Sequence, residues 1–148
     1  SYWNEADVPQ FQLVYLENGI WKKESTHFRK TVFNLAGGGT KQIPISRPDI
    51  LIDENSTNRI VYLLFRDEER GNKISLAYRN LKKNTKWNVN DLTKTSVGQW
   101  EPNYDINLWT KKKILNVFVQ NVSQVDGEGL TQNASTKVSV LQINKLPK

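Results

Sequence analysis

Cysteine and methionine are both absent from the 148 residues, and His27 is the only histidine. The missing thiols exclude disulfides, thiolate metal sites and thiol catalysis. No apolar run approaches the roughly 20 residues that a membrane-spanning helix needs, and no export signal is visible, so we expect no membrane segment. Because methionine is missing even at position one, we expect a portion of a longer protein.

Helical periodicity is also missing, and apolar residues alternate with polar ones in short runs. This alternation predicts an all-β chain without helices. Strands are expected at about 11–16, 50–53, 59–66, 73–79, 114–119 and 137–143. Turns rich in Asn, Asp and Gly separate them, and the strands at 59–66 and 73–79 are predicted to form a hairpin.

Aromatic residues are plentiful by contrast, with five each of Trp, Tyr and Phe. Residues 11–24 and 74–89 each contain an alternating strand, a polar turn and a tryptophan that opens the next strand, Trp21 and Trp87. A repeat spaced by about sixty residues is typical of blade-type β architecture. We therefore predict two to three antiparallel blades of a larger β-propeller, with both tryptophans buried at equivalent positions. The remaining blades, or another copy of the chain, are expected to cover exposed strand edges.

The formal net charge is +6, and the lysines lie scattered beside turns and strand ends. That distribution favours solvated turns or an anionic glycan over nucleic acid. Aromatic rings stack on the apolar faces of sugars, while Arg and Lys hold carboxylates or sulfates. We expect an acidic polysaccharide as partner and no nucleic acid.

Four motifs follow one another in the chain: Ile45-Ser-Arg-Pro-Asp-Ile50, Phe65-Arg-Asp-Glu-Glu-Arg-Gly-Asn72, Val97-Gly-Gln-Trp-Glu-Pro-Asn-Tyr-Asp105, and Phe118-Val-Gln with Val125-Asp-Gly-Glu-Gly129. The set resembles the C-terminal part of BNR-repeat β-propeller proteins related to ulvan lyases. The resemblance implies that residues 1–148 form the C-terminal portion of a single propeller domain. It further implies a polysaccharide lyase that cleaves uronic-acid-containing glycans by β-elimination. We expect a secreted or periplasmic location.

Such an elimination needs a base for the C5 proton, a cation that neutralises the carboxylate, and an acid for the leaving oxygen. Arg47 is the best neutraliser, because a guanidinium pairs with a carboxylate in a two-pronged way and keeps its charge. Tyr104 is the best hydroxyl for proton transfer. His27 is the third catalytic candidate, although a lone histidine in this context is more often a surface or packing residue. In the resembling lyases, histidines on earlier blades take part, so we expect the 148 residues alone to be inactive.

The substrate-binding candidates are Thr40, Arg66, Trp100 and Glu101. Thr40 follows the glycines at 37–39, which form either a mobile surface turn or a loop that brings backbone amides to a ligand. Arg66 ends an apolar strand, where side chains of a propeller face its rim or channel. Trp100 and Glu101 precede a proline and either line a sugar subsite or mark a hairpin corner that packs Trp100 into the core.

No cluster of His, Asp and Glu has the spacing of a zinc or calcium site, so we expect no metal and no cofactor. Two other interpretations stay open. One is a glycan-binding or purely structural propeller portion without chemistry. The other is a sialidase-like hydrolase, which is less favoured because Lys41-Gln-Ile-Pro44 does not supply the Arg-Ile-Pro motif of many such enzymes.

Overall fold

The computed structural model of the chain describes residues 2–5, 8–35, 37–127 and 136–147. They divide into two compact units, residues 1–36 and 37–148. The elements of these described residues are β1 (Tyr2–Glu5), β2 (Val8–Glu17), β3 (Ile20–Ser25), β4 (Asp49–Glu54), β5 (Arg59–Asp67), a 3-10 turn (Glu68–Arg70), β6 (Lys73–Asn80), β7 (Asn88–Asp91), β8 (Asn103–Tyr104), α1 (Ile106–Lys112), β9 (Leu115–Val119) and β10 (Ser139–Ile143).

Every named strand pairing is antiparallel. The first unit holds a sheet in the order β1-β2-β3, and the second unit holds the sheets β4-β5-β6-β7 and β10-β9-β8. The prediction of an all-β chain built from antiparallel sheets is confirmed. A four-stranded antiparallel sheet such as β4–β7 is the unit from which propeller blades are made. Closure into a propeller and the single-domain organisation stay predictions.

The hairpin of the first unit explains why one tryptophan is not buried. Its two turn residues, Asn18 and Gly19, have φ values of 52° and 77°, as a two-residue hairpin turn of type I′ requires. This turn sets Leu16 opposite Trp21. Because partners across a strand pair share a face, and β2 buries the alternate residue Leu13, Trp21 faces outward and is 70% exposed. The prediction of a buried Trp21 is therefore wrong.

Trp87 is half-buried and lies one residue before β7, whereas Trp21 is the second residue of β3. The two tryptophans thus differ in burial and in their place relative to the strand. Their predicted structural equivalence is wrong as well. The likeness of residues 11–24 and 74–89 is a likeness of strand and turn composition, which does not fix which face a side chain occupies.

The second unit buries its core between its two sheets. β5 is the centre of that core: Ile60, Tyr62 and Leu64 lie on one face, and the alternate residues from Val61 to Phe65 are buried on the other. Burial of each large apolar side chain contributes roughly 1.5–3 kcal/mol. The core comprises Leu51, Ile60, Tyr62, Leu64, Ile74, Leu76, Val97, Trp109, Leu115 and Val117.

A short helix, α1, corrects the expectation that the chain forms none. Asp105 caps its N-terminus, where a side-chain oxygen accepts a hydrogen bond from the Leu108 N–H at 2.9 Å. Lys113 ends it in the left-handed conformation and donates its N–H to the Trp109 carbonyl. Trp109 is the only buried residue in the helix, so the sequence has no apolar period to reveal it.

Candidate functional site

Arg66, near the end of β5, is the buried centre of the candidate site. The residue is 1% exposed. Its guanidinium donates four hydrogen bonds, to the carbonyls of Ile43 at 2.7 Å, Pro44 at 3.2 Å and Trp100 at 3.2 Å and to the side-chain oxygen of Asn72 at 2.7 Å. Burial lowers the pKa of this guanidinium, while the neighbouring carboxylates Asp67, Glu101 and Glu68 act in the opposite direction.

Hydrogen bonds of the Arg66 backbone also fix the loop before β4. The Arg66 N–H donates to the Ser46 hydroxyl at 2.8 Å, and the Ser46 N–H donates to the Arg66 carbonyl at 2.9 Å. The side chain and backbone of Arg66 together therefore hold Ile43, Pro44, Ser46 and Trp100 at the end of β5. The predicted exposure of Arg66 at a ligand-facing rim is not found. Arg66 positions the loops that carry the site and does not reach the solvent itself.

The first exposed group of the site is Arg47, which lies directly after the anchored loop. Its Nε and Nη2 both donate to one Glu101 oxygen, Oε2, at 2.9 and 2.7 Å. The Arg47 side chain is nevertheless 90% exposed, and that of Glu101 is 38% exposed. The hydrogen bond to Glu101, and then the charge of Glu101, raise the pKa of Arg47. Arg47 Nη1 makes no hydrogen bond to the described residues.

Asp49 and Tyr104 are half-buried members of this cluster. Asp49 begins β4, and Tyr104 ends β8. Partial burial, and then the charge of Glu101, raise the pKa of Asp49. Partial burial, and then the charge of Asp49, raise the pKa of Tyr104, so the phenol keeps its proton at neutral pH. Electrostatic interactions thus link Arg47 to Tyr104 by way of Glu101 and Asp49, although the two residues are 57 positions apart in the sequence.

Trp100 packs against the core at a corner of the chain, which is the second of the two positions that the sequence left open. Its indole N–H donates to the Phe118 carbonyl in β9 at 2.9 Å, and its half-buried ring packs against the core. The tryptophan therefore secures the corner from which Glu101 projects. The buried Pro102 that follows restricts the backbone there.

Thr40 takes part in none of the contacts described for this cluster, and His27 belongs to the other unit. Thr40 is exposed, and its carbonyl accepts the Gly127 N–H at 2.8 Å, so its segment pairs with residues near 127. His27 belongs to the first unit, where it is exposed with a φ of 54°. Of the predicted site residues, the structure gathers Arg47, Arg66, Trp100, Glu101 and Tyr104.

Asp49 is the residue of this cluster that the sequence analysis did not single out. The sequence does contain a pattern that points to Asp49, because this carboxyl residue lies two positions after Arg47 at the start of an apolar strand. Groups with perturbed pKa values cluster at functional sites. The cluster as a whole offers a cation for a carboxylate, a hydroxyl donor, and two carboxyl groups that accept hydrogen bonds.

Neither a scan against protein-family models nor a search of curated proteins finds a match for the chain. The resemblance to BNR-repeat propellers therefore stays a prediction. Within residues 2–5, 8–35, 37–127 and 136–147, no three His, Asp or Glu side chains are grouped as a metal site would need. In the same part of the chain, the helix present is too short to cross a membrane.

Proposed function

We propose that this chain is a portion of a carbohydrate-active β-propeller that binds uronic-acid-containing polysaccharides at the cluster of Arg47, Glu101 and Tyr104. The observation that carries the proposal is the exposed guanidinium of Arg47, fixed on one edge by Glu101 while Nη1 has no described partner. A guanidinium held in this way is already oriented for a second carboxylate.

The neighbouring groups suit the rest of a sugar ring. Tyr104 keeps its hydroxyl hydrogen and so donates a hydrogen bond to a ring or glycosidic oxygen. Glu101 and Asp49 accept hydrogen bonds from sugar hydroxyls. Their charges also repel a uronate, and Glu101 competes with it for Arg47. The cluster thereby predicts opposite effects for removing the cation and for neutralising Glu101.

Equilibrium binding of tetragalacturonate and of neutral maltotetraose tests this function. Arg47→Met is expected to weaken tetragalacturonate binding by about tenfold or more, because it removes charge-assisted hydrogen bonds. Glu101→Gln should strengthen it. The matched control is Arg59→Met, since Arg59 donates Nε and Nη2 to a single oxygen of Glu54 at the same distances, 2.9 and 2.7 Å. Equal binding of both tetramers, or equal losses in the two arginine variants, would contradict the proposal.

β-Elimination is the second candidate function, and the protonated phenol of Tyr104 favours it. A base takes the C5 proton, and the electrons of that C–H bond form the C4=C5 double bond. The bond from C4 to the glycosidic oxygen breaks, and Tyr104 gives that oxygen its proton. Arg47 neutralises the carboxylate, which lowers the barrier to carbanion formation.

In the resembling lyases, histidines on earlier blades take part in catalysis. We therefore expect no product from the 148-residue chain, and unsaturated uronate from a longer protein that carries those blades. In the longer protein, Tyr104→Phe should lower kcat by about a hundredfold to ten-thousandfold. Ultraviolet absorbance of the conjugated product measures this. New reducing ends without that absorbance would favour the hydrolase interpretation instead, and binding without any product would favour the glycan-binding module.

A further inference from the structure

A pocket in the second unit lies outside the cluster described above. It lies between β4, β5, α1 and residues 144–147 and has a volume of about 530 Å³. Pockets of roughly 300–1,000 Å³ hold small ligands in proteins. The polar and aromatic residues that line it are Asp53, Tyr62, Trp109, Lys113, Asn144 and Lys145.

The floor of the pocket is firmly held. The rings of Tyr62 and Trp109 meet edge to face with centroids 6.1 Å apart. The Tyr62 hydroxyl donates to the Pro147 carbonyl at 2.9 Å, which ties the segment at 144–147 to β5. Both aromatic residues are almost fully buried. The polar groups of the rim therefore surround a rigid base.

Lys113 occupies the rim in a backbone conformation that glycine favours and lysine does not. Its φ is 55° at the residue that ends α1. Its ammonium lies 5.1 Å from the centre of the Trp109 ring and 3.5 Å from the Ile52 carbonyl. A disfavoured backbone conformation that is retained at a pocket points to a role for the side chain that it carries.

The remaining rim groups are available for a ligand. Among the described residues, the side chains of Asp53, Asn144 and Lys145 make no hydrogen bond or ion pair. With Lys113, they present two ammonium groups, one amide and one carboxylate. Two ammonium groups can donate charge-assisted hydrogen bonds to an acid group of a ligand, while an amide and a carboxylate can accept hydrogen bonds from its hydroxyls. An acidic sugar combines both kinds of partner.

The strand β4 connects this pocket to the first cluster. Asp49 and Asp53 are four residues apart, and because strand side chains alternate, they lie on the same face as the buried Leu51. Ile50 and Ile52 are exposed on the opposite face. At the rise of a strand, the two aspartates are separated by about 13 Å. β4 is the edge strand of its sheet, so an oligosaccharide that follows this edge, but not a single ring, reaches both places.

We propose that the pocket is a second binding site for the same polysaccharide, with Lys113 and Lys145 holding a carboxylate and Asn144 and Asp53 bonding to hydroxyls. The proposal rests on the proposed function of the Arg47 cluster. It predicts that affinity rises with oligomer length, because longer ligands contact both sites.

Binding of digalacturonate and tetragalacturonate to the full chain tests the second site. Lys113→Gly combined with Lys145→Gln is expected to lower tetramer affinity by about tenfold, close to that of the dimer. Asp53→Asn should raise tetramer affinity, since it removes a repelling charge. Lys112→Gln is the matched control, because this exposed lysine of α1 does not line the pocket.

The left-handed backbone of Lys113 allows a variant that should be more stable and yet bind less tightly, which distinguishes loss of binding from misfolding. Glycine relieves the disfavoured conformation, so Lys113→Gly alone should unfold at a higher denaturant midpoint while binding the tetramer less tightly. If the double variant binds the tetramer normally while Arg47→Met does not, the second site is refuted and the proposed function stands. An equal loss in Lys112→Gln also refutes it. If the wild-type chain binds neither oligomer, both proposals fail.

Discussion

Replacing Arg66 by methionine removes the buried guanidinium while retaining much of the side-chain volume. Four acceptors then lose their donor: the carbonyls of Ile43, Pro44 and Trp100 and the side-chain oxygen of Asn72. Ile43 is 42% exposed, so water can replace the donor there. The other three acceptors belong to half-buried residues.

An unsatisfied buried acceptor costs about 1–3 kcal/mol, and relief of the guanidinium from its buried site offsets part of the sum. We therefore expect Arg66→Met to lower the free energy of unfolding by about 3 kcal/mol. Urea denaturation followed by far-ultraviolet circular dichroism measures the change. Glycan binding should also weaken, because the loops that carry Arg47 and Glu101 lose their common anchor.

Arg47→Met is the matched control for this experiment, since it makes the same replacement at a side chain that is 90% exposed. It should leave the denaturation midpoint almost unchanged while weakening glycan binding. The reasoning is refuted if Arg66→Met is as stable as Arg47→Met, because the four hydrogen bonds would then contribute little.

Three further outcomes are expected. Gly98→Ala should lower the free energy of unfolding by about 3 kcal/mol or more, because φ is +61° and a Cβ would lie 2.0 Å from the carbonyl oxygen of Val122. Gly19→Ala is the comparison, since a Cβ there meets no heavy atom within 4 Å. It should cost only about 1–2 kcal/mol in the same denaturation assay. Trp109→Ala should cost about 3–5 kcal/mol and Trp21→Ala less than about 1 kcal/mol. Burial raises the pKa of Tyr62 from 10.0 to about 12. Between these two pH values the folded chain keeps a proton that the unfolded chain loses, so the stability of the fold should decrease as the pH rises from 10.0 to about 12. Tyr62→Phe should reduce this decrease in a pH series of thermal melts. A Tyr62 that titrates near pH 10 in a spectrophotometric titration would contradict this.

The strands could be predicted because their signal is local. Alternation of apolar and polar residues is a property of about four to eight consecutive positions, and the first residues of β6 follow it. The partner strand β5 is a continuous apolar run, as expected of a strand that is buried on both faces. The face that each residue occupies was harder to predict. The two-residue turn at Asn18 and Gly19 sets Trp21 opposite the exposed Leu16, so counting from this turn would have placed Trp21 outside.

The site depended on contacts that sequence patterns do not contain. Arg66 adjoins a charge run that extends to residue 70, which favours a solvated turn, yet carbonyls from segments more than twenty and thirty residues away surround its guanidinium. Residue chemistry singled out Arg47 as a partner for a carboxylate and Tyr104 as a hydroxyl for proton transfer, and both roles stay predictions. It did not identify Asp49, because the effect of a carboxyl group on Tyr104 arises only when β4 and β8 are brought together.

The most direct test of the central claim is an NMR titration of the labelled chain with tetragalacturonate. We expect the largest shifts at the Arg47 side-chain Nε–H and at the backbone N–H groups of the non-proline residues within 47–49 and 100–104, with maltotetraose producing none of them. Arg47→Met should remove these shifts. Shifts concentrated in the β2–β3 hairpin around Leu16 and Trp21, with residues 47–49 and 100–104 unaffected, would contradict the account.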